Sequence, residues 1–228
     1  MRQYNQGFDT DCRPEWFRNA VPKTLLTNGD FPLHNLRVET GALEEWSDLH
    51  ELVDAATLCA RRSDPAARPV RAVWFVKPPH GDAGRSWAVG WHQDRVVALK
   101  ARADAPGFSK WSEKSGILHA EAPEKVLQTM RFALVHVDDA TRESGALEVV
   151  DASAIVPAEG IVSHTAGRLS GMCEARAGDI VLLPMLCLHR SGPNTSDQVR
   201  RILRVDFAHQ ALPAPLEWAT LDAASGSA

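Results

Sequence analysis

Apolar residues recur at helical spacing between Gly41 and Arg62. Leu43, Trp46, Leu49, Leu52, Val53, Ala56 and Cys59 share one side, with Glu44, Glu45, Asp48 and Asp54 between them. The pattern predicts an amphipathic helix packed on a sheet and closed by Asp64-Pro65. Ahead of it, Arg13-Pro14-Glu15-Trp16-Phe17 predicts a short helix, because a proline in the first turn gives up an N–H that has no helical partner there.

Beyond Pro69 the period changes to that of strands. Val70–Val76 is rich in β-branched and aromatic residues and stops at Lys77-Pro78-Pro79. Val96–Lys100, Phe132–Val137, Ala146–Val150, Ile180–Leu183 and Ile202–Phe207 read the same way. Between them lie the turn-forming stretches Glu143-Ser144-Gly145, Ala177-Gly178-Asp179 and Ser191-Gly192-Pro193-Asn194. Short strands joined by polar turns predict a mainly β fold, a jelly roll (double-stranded β-helix) with supporting N-terminal helices. One domain is expected over 1–228, helical over about 1–65 and with its jelly-roll core over about 69–208. The stretch Ala101–Met130 interrupts the strand pattern. An insertion of this length beside a site is either a lid or a static loop on the outside of a barrel, and Pro106-Gly107-Phe108, Trp111 and Ser115-Gly116 suit both.

Composition narrows the partners. The chain is 44% hydrophobic and 24% charged with a formal net charge of -4, enough apolar material for a core that encloses a pocket. No basic excess draws it to nucleic acid or to an anionic membrane, which leaves a small-molecule substrate as the expectation. Cys12, Cys59, Cys173 and Cys187 show no CxxC spacing, and Met1–Gln6 is polar. No apolar run reaches the ~18 residues of a spanning helix. Together these predict a reduced, cytoplasmic protein.

The densest chemistry lies in Gly90-Trp91-His92-Gln93-Asp94. Residues two apart on a strand point to the same side, so His92 and Asp94 can offer a nitrogen and an oxygen to one point. A third ligand has to come from elsewhere, and His189 follows 97 residues later. Two histidines and a carboxylate on one face leave metal positions open for a co-substrate and for O2, the donor set of non-haem iron(II) oxygenases. A dicarboxylate that chelates iron through its 2-oxo acid end also needs a cation for its far carboxylate, and an arginine fork binds such a group bidentately. Arg200 and Arg201 open the strand after the Ser191–Ser196 turn.

From about Val73 to Phe207 the chain resembles the phytanoyl-CoA dioxygenase family of iron(II)/2-oxoglutarate oxygenases. The resemblance rests on Phe75-Val76-Lys77-Pro78-Pro79, Trp91-His92-Gln93-Asp94, Ser144-Gly145-Ala146-Leu147-Glu148-Val149-Val150, and His189 through Arg200. It implies His92, Asp94 and His189 as iron ligands, with Fe(II) and 2-oxoglutarate as cofactors. The 2-oxoglutarate arginine of the family falls on Arg200, eleven residues after His189, and the serine and lysine that touch the co-substrate fall on Ser191 and Lys77. The implied reaction is hydroxylation of a small molecule, or a related desaturation or cyclisation, with succinate and CO2 as co-products. Asp94 argues against halogenation, because related halogenases carry a small residue at that position. Where the family continues with a Pro-Gly-Ser-His turn this chain has Asp151-Ala152-Ser153-Ala154, so a fatty acyl-CoA substrate is not implied.

Further residues carry two readings each. His136 either lines the pocket against substrate or is an ordinary core histidine. Arg204 and Asp206 share strand parity with Arg200, so Arg204 either contacts substrate or pairs with Asp206. Trp111 either covers the substrate or packs. His34, His50, His164 and His209 read as surface or packed residues, and Gln93 as pointing away from the metal. Rival classes are a cupin-like isomerase or binding barrel, which has no need of Arg200 and Lys77, and a zinc hydrolase, in which Glu148 or Glu143 would be the general base.

Overall fold

The computed structural model describes residues 14–38, 46–81, 86–150, 170–219 and 221. Its large sheet holds β1 (Glu15–Phe17), β2 (Leu36–Val38), β3 (Arg68–Lys77), β8 (Arg131–His136), β11 (Ile180–Pro184) and β13 (Arg200–Ala208). They lie antiparallel in the order β1-β11-β8-β13-β3-β2. Facing it is a smaller antiparallel sheet of β4 (Val89–His92), β9 (Leu147–Val150), β10 (Ser170–Cys173) and β12 (His189–Ser191), in the order β10-β9-β12-β4. The two antiparallel sheets are those of the expected jelly roll.

Alternation along the strands of the large sheet builds two cores. On β8, Phe132 and Leu134 point inward and meet Leu147 and Val149 of the small sheet, while Ala133 and Val135 point outward. On β13, Ile202 is inward, and Leu203 and Val205 are outward. The outward set is covered by helix α2 (Ser47–Ser63), which buries Leu49, Leu52, Val53, Ala56, Cys59 and Ala60 against it. Each buried leucine or valine contributes ~1.5–3 kcal/mol, so the helix is held by the sheet rather than by its own propensity. Asp64 is its C-cap, as Asp64-Pro65 predicts. The forecast start at Gly41–Glu45 lies outside the described residues, as do Cys12, Asp151–Ala154 and His164.

Two expectations need correction. Arg13–Phe17 is not a helix: Glu15–Phe17 form β1, the outer strand of the large sheet, paired with Ile180–Leu182. Pro14 precedes the strand, where a residue without an N–H is tolerated. The Ala101–Met130 insertion is a folded unit in place of a loop. β5 (Val96–Leu99), β7 (Ile117–Glu121) and β6 (Ser109–Lys114) form a third sheet in the order β5-β7-β6, followed by the single turn α3 (Glu124–Leu127). Ala105, Phe108, Ala120, Ala122, Leu127 and Met130 bury their side chains in the inner core. The remaining short helix, α1, spans Lys23–Asn28. Among the described residues no helix is long and apolar enough to cross a membrane.

Candidate metal centre

Strands β4 and β12 run side by side in the small sheet, with His92 and His189 directly paired. Their rings lie 4.3 Å apart between centroids. The chain leaves β4 after His92, and Asp94 turns its carboxylate between the two rings, with Oδ1 3.9 Å from His92 Nε2 and Oδ2 3.3 Å from His189 Nε2. One ligand atom from each residue falls within 4.8 Å of the others.

The tautomers are set by the backbone. His92 Nδ1 lies 2.8 Å from Gly90 O and His189 Nδ1 2.8 Å from Cys187 O. A carbonyl accepts only, so each Nδ1 carries the proton and each Nε2 presents a lone pair to the shared point. Burial pushes His92 below the ordinary imidazole value, with repulsion from His189 adding to it, so it stays neutral as a ligand must. Burial would raise Asp94, but Arg204 and His189 outweigh it and hold the carboxyl well below its usual range. Two lone-pair nitrogens and one carboxylate oxygen fit iron(II), with no thiolate at the point.

Strands β3 and β13 bring two cations face to face. Arg200 and Lys77 are register partners, both on the inner face and both buried. Lys77 Nζ donates to Ser191 Oγ at 2.7 Å and to Gly192 O. Ser191 Oγ in turn donates to Gly145 O at 2.9 Å. Gly145 adopts φ +74, and a Cβ there would sit 2.4 Å from Gly192 O and 3.0 Å from Lys77 Nζ, so the Ser144-Gly145-Ala146 motif needs its glycine. Burial, reinforced by Arg200, pulls the Lys77 pKa down to about 7, and burial lowers Arg200 to about 10. The buried Nε of Arg200 has no partner among the described residues. Two opposed buried cations, one with an orphaned donor, fit an anionic guest.

His136, at the inner end of β8, is 1% exposed and both ring nitrogens lack partners. It lies across from Ile202, diagonal to Arg200 on the same face. Burial and then Arg200 push its pKa down to about 3, so it is neutral.

Arg204 is not free to meet a substrate. Its Nε donates to Asp206 at 2.6 Å, its Nη1 to Asp94 at 2.5 Å and its Nη2 to Met185 Sδ at 3.4 Å. Trp111 sits on β6, partly buried against the core under Arg102, and no contact among the described residues brings it to the triad. Gln93 turns away from the triad and donates to Leu186 O at 2.6 Å. His34 is exposed and His209 faces Asp64 at 2.7 Å. Trp87, which flanks the site in sequence, lays its ring 4.3 Å from Lys77 Nζ, whereas the pattern did not reveal Arg71, which donates to Asp206 at 3.0 Å. Register would have paired Arg71 with Asp206, but register is not visible until the sheet is drawn.

Comparison with solved structures gives the same architecture. The non-haem α-ketoglutarate-dependent carbocyclase SnoK from nogalamycin biosynthesis is 16% identical, covering 91% of this chain and 84% of its own, with a TM-score of 0.59. The epimerase SnoN of the same biosynthesis is 14% identical over 95% and 87%, at 0.58. HygX from Streptomyces hygroscopicus, with nickel and 2-oxoglutarate bound, is 15% identical over 88% and 84%, at 0.56. At these identities the likeness establishes the fold. A comparison with curated proteins finds no match. The family profile described as phytanoyl-CoA dioxygenase matches residues 34–202, most of the chain and every position of the triad and the cation pair. With a histidine–aspartate–histidine cluster inside a jelly roll, the chain belongs to the phytanoyl-CoA dioxygenase family of iron(II)- and 2-oxoglutarate-dependent oxygenases.

Proposed function

We propose that the protein hydroxylates a small molecule, consuming O2 and 2-oxoglutarate and releasing succinate and CO2. The observation that carries this reading is the buried Lys77–Arg200 pair, which forms no ion pair with a carboxylate among the described residues, a dicarboxylate anchor that a cupin-like isomerase or a zinc hydrolase would not need. His92, Asp94 and His189 are the iron ligands in this reading. Arg200 holds the far carboxylate, with Lys77 and Ser191 beside it and His136 offering a further ring nitrogen at the same end.

When bound, iron(II) with 2-oxoglutarate supplies oxygen activation coupled to decarboxylation of the co-substrate. The residues of the chain hold and orient. The two Nδ1–carbonyl contacts fix the imidazoles, and the inner core excludes water from beneath His189, which is 3% exposed. His92, with its side chain 34% exposed, marks the side from which a substrate reaches the metal. Neither zinc-hydrolase base is in place. Glu148 faces outward to Arg190 at 2.6 Å, and Glu143 is an exposed turn residue. Cys59, Cys173 and Cys187 are buried and form no disulfide among the described residues, which fits a reducing compartment, and we propose a cytoplasmic location.

Anaerobic titration with iron(II) and 2-oxoglutarate, followed by visible absorption, tests the assignment. A weak metal-to-ligand charge-transfer band should appear with the wild type, fail to form with His189→Ala, and need far more 2-oxoglutarate with Arg200→Ala. Compounds that perturb the band are substrate candidates, and hydroxylation requires a product heavier by one oxygen atom. Desaturated or cyclised products would replace that reaction, and a wild type that forms no band would remove the proposal.

A further inference from the structure

The Asp94 carboxylate is gripped from behind by a buried cation. Arg204 lies on β13 beyond Arg200, on the same face, and is 7% exposed. Its Nη1 donates to Asp94 Oδ2 at 2.5 Å and its Nε to Asp206 Oδ1 at 2.6 Å, while the ring of Phe132 lies 4.2 Å from Cζ. Asp206 Oδ2 accepts from Arg71 Nη1 at 3.0 Å. From Arg71 through Asp206 and Arg204 to Asp94 the charges alternate, so the row is neutral and can stay ionised while buried. Each of its contacts is charge-assisted, and the planar guanidinium fork holds the two acids through separate nitrogens.

Asp94 needs such a grip. It stands past the end of β4, so no strand ladder fixes its side chain. A carboxylate can bind a metal through one oxygen or both. If His92, Asp94 and His189 supply three ligands to a six-coordinate iron, a chelating 2-oxo acid would take two further positions and leave one. A second Asp94 oxygen would fill it.

We propose that Arg204 is a positioning residue that confines Asp94 to a single metal-binding oxygen and so keeps one iron position open for O2. The proposal rests on the reading of His92, Asp94 and His189 as the iron ligands. Oδ2 is engaged by Arg204 and lies 3.3 Å from His189 Nε2, while Oδ1, left without a protein hydrogen bond, lies 3.9 Å from His92 Nε2. The alternative is a structural ion pair that serves stability alone.

Crystal structures of the wild type, Arg204→Met and Arg204→Lys, each loaded with iron(II) and 2-oxoglutarate without oxygen, separate the two. The clamp requires one Asp94 oxygen at bonding distance in the wild type and both in Arg204→Met. The charge-transfer titration should show 2-oxoglutarate affinity within ~3-fold of wild type, while reaction of the loaded complex with O2 slows by ~10-fold or more. Arg204→Lys, which restores a charge on Asp94, should recover part of that rate. Arg204→Gln, a neutral side chain of similar reach, is read in the same way if the methionine variant does not fold. One bound Asp94 oxygen in every variant with an unchanged O2 rate overturns the clamp and leaves the ligand assignment standing. Two bound oxygens in the wild type also overturn it. A wild type with no Asp94–iron bond overturns the ligand assignment, and the clamp with it.

Discussion

Lys77 and Arg200 face each other across paired strands inside the barrel, and no carboxylate among the described residues forms an ion pair with either. Like charges directly opposed on a sheet are destabilising, and burial adds to the cost. The arrangement makes sense when a dianion sits between them. Arg200→Ala should therefore weaken 2-oxoglutarate by ~10²-fold or more, the loss of a buried bidentate contact. Arg201 points to the other face and is held by Asp138 through two 2.8 Å contacts. Arg201→Ala should lower stability by about 1 kcal/mol and leave co-substrate affinity unchanged. Calorimetric titration and thermal melts check both, and a large binding defect in Arg201→Ala would place the anchor on the wrong residue.

The Lys77 pKa of about 7 gives co-substrate binding a pH dependence. Above that value the free protein holds a neutral amine, and an arriving carboxylate restores the charge, so binding takes up a proton. Affinity for 2-oxoglutarate should fall as pH rises from 7 toward 9. At pH 8, calorimetry in two buffers of different ionisation enthalpy should show proton uptake, and Lys77→Met should abolish it. The same shift has a sign in stability. Between about 7 and the ordinary lysine value the unfolded chain binds more protons than the folded one, so through Lys77 the ligand-free protein gains stability as pH rises across that window.

Removing the triad members should end turnover without ending the fold, but not with equal structural cost. His92→Ala takes away a side chain 34% exposed. Asp94→Ala leaves a buried guanidinium short of one of its two carboxylates, a loss of about 1–3 kcal/mol. A lower melting temperature for Asp94→Ala than for His92→Ala is expected, with metal content lost in both. Asp94→Gly should behave like Asp94→Ala and stay inactive even with chloride present, because removing the charged ligand weakens iron binding. Robust hydroxylation by that variant would show that Asp94 is not a ligand.

His136 is buried neutral with a pKa of about 3, whereas an unfolded histidine titrates near ~6.5. As pH falls through that interval the unfolded state takes the proton and the folded state refuses it, so the residue costs stability on acidification. His136→Leu should flatten the loss of melting temperature between pH 6.5 and 5. It should also weaken 2-oxoglutarate modestly, by ~3–10-fold, if the ring donates to the co-substrate. An acid profile identical to wild type would mean that the ring is not buried as described.

The 101–130 segment should resist trypsin whether or not ligands are bound. Lys110 sits on β6 with its amine 2.6 Å from Glu121, and the hairpin is anchored by core residues such as Phe108 and Ala120. Trp111→Ala should cost stability while leaving kinetics near wild type. Ready cleavage at Lys110 or Lys114 in the free protein, with protection on loading, would restore the lid.

The sequence made the long apolar strands plain. β3, β8, β11 and β13 are buried on both faces, so their runs of Val, Leu, Ile and Phe stand out. It hid what is short or polar. Trp16 and Phe17 are too few to show a period, and Ser109–Lys114 carries two lysines and a glutamate on an outer strand. His92 and Asp94 were legible because their spacing is local. The meeting of Arg204 with Asp94 was not, since it joins residues 110 apart, and parity tells only that a charge faces inward, not which acid it finds.

The pairing of β13 also decides which errors of assembly the protein could survive. Arg200 and Arg201 are identical neighbours, so a strand that slipped by one residue would still offer a cation opposite Lys77. The same slip would put Val205 where Arg204 belongs and Phe207 where Asp206 belongs. A misthreaded molecule could then capture a dicarboxylate while leaving Asp94 ungripped, so tight co-substrate binding is a poor proof of correct folding here. The metal ligand's grip is the stricter inspector, because it exists in only one threading of the strand.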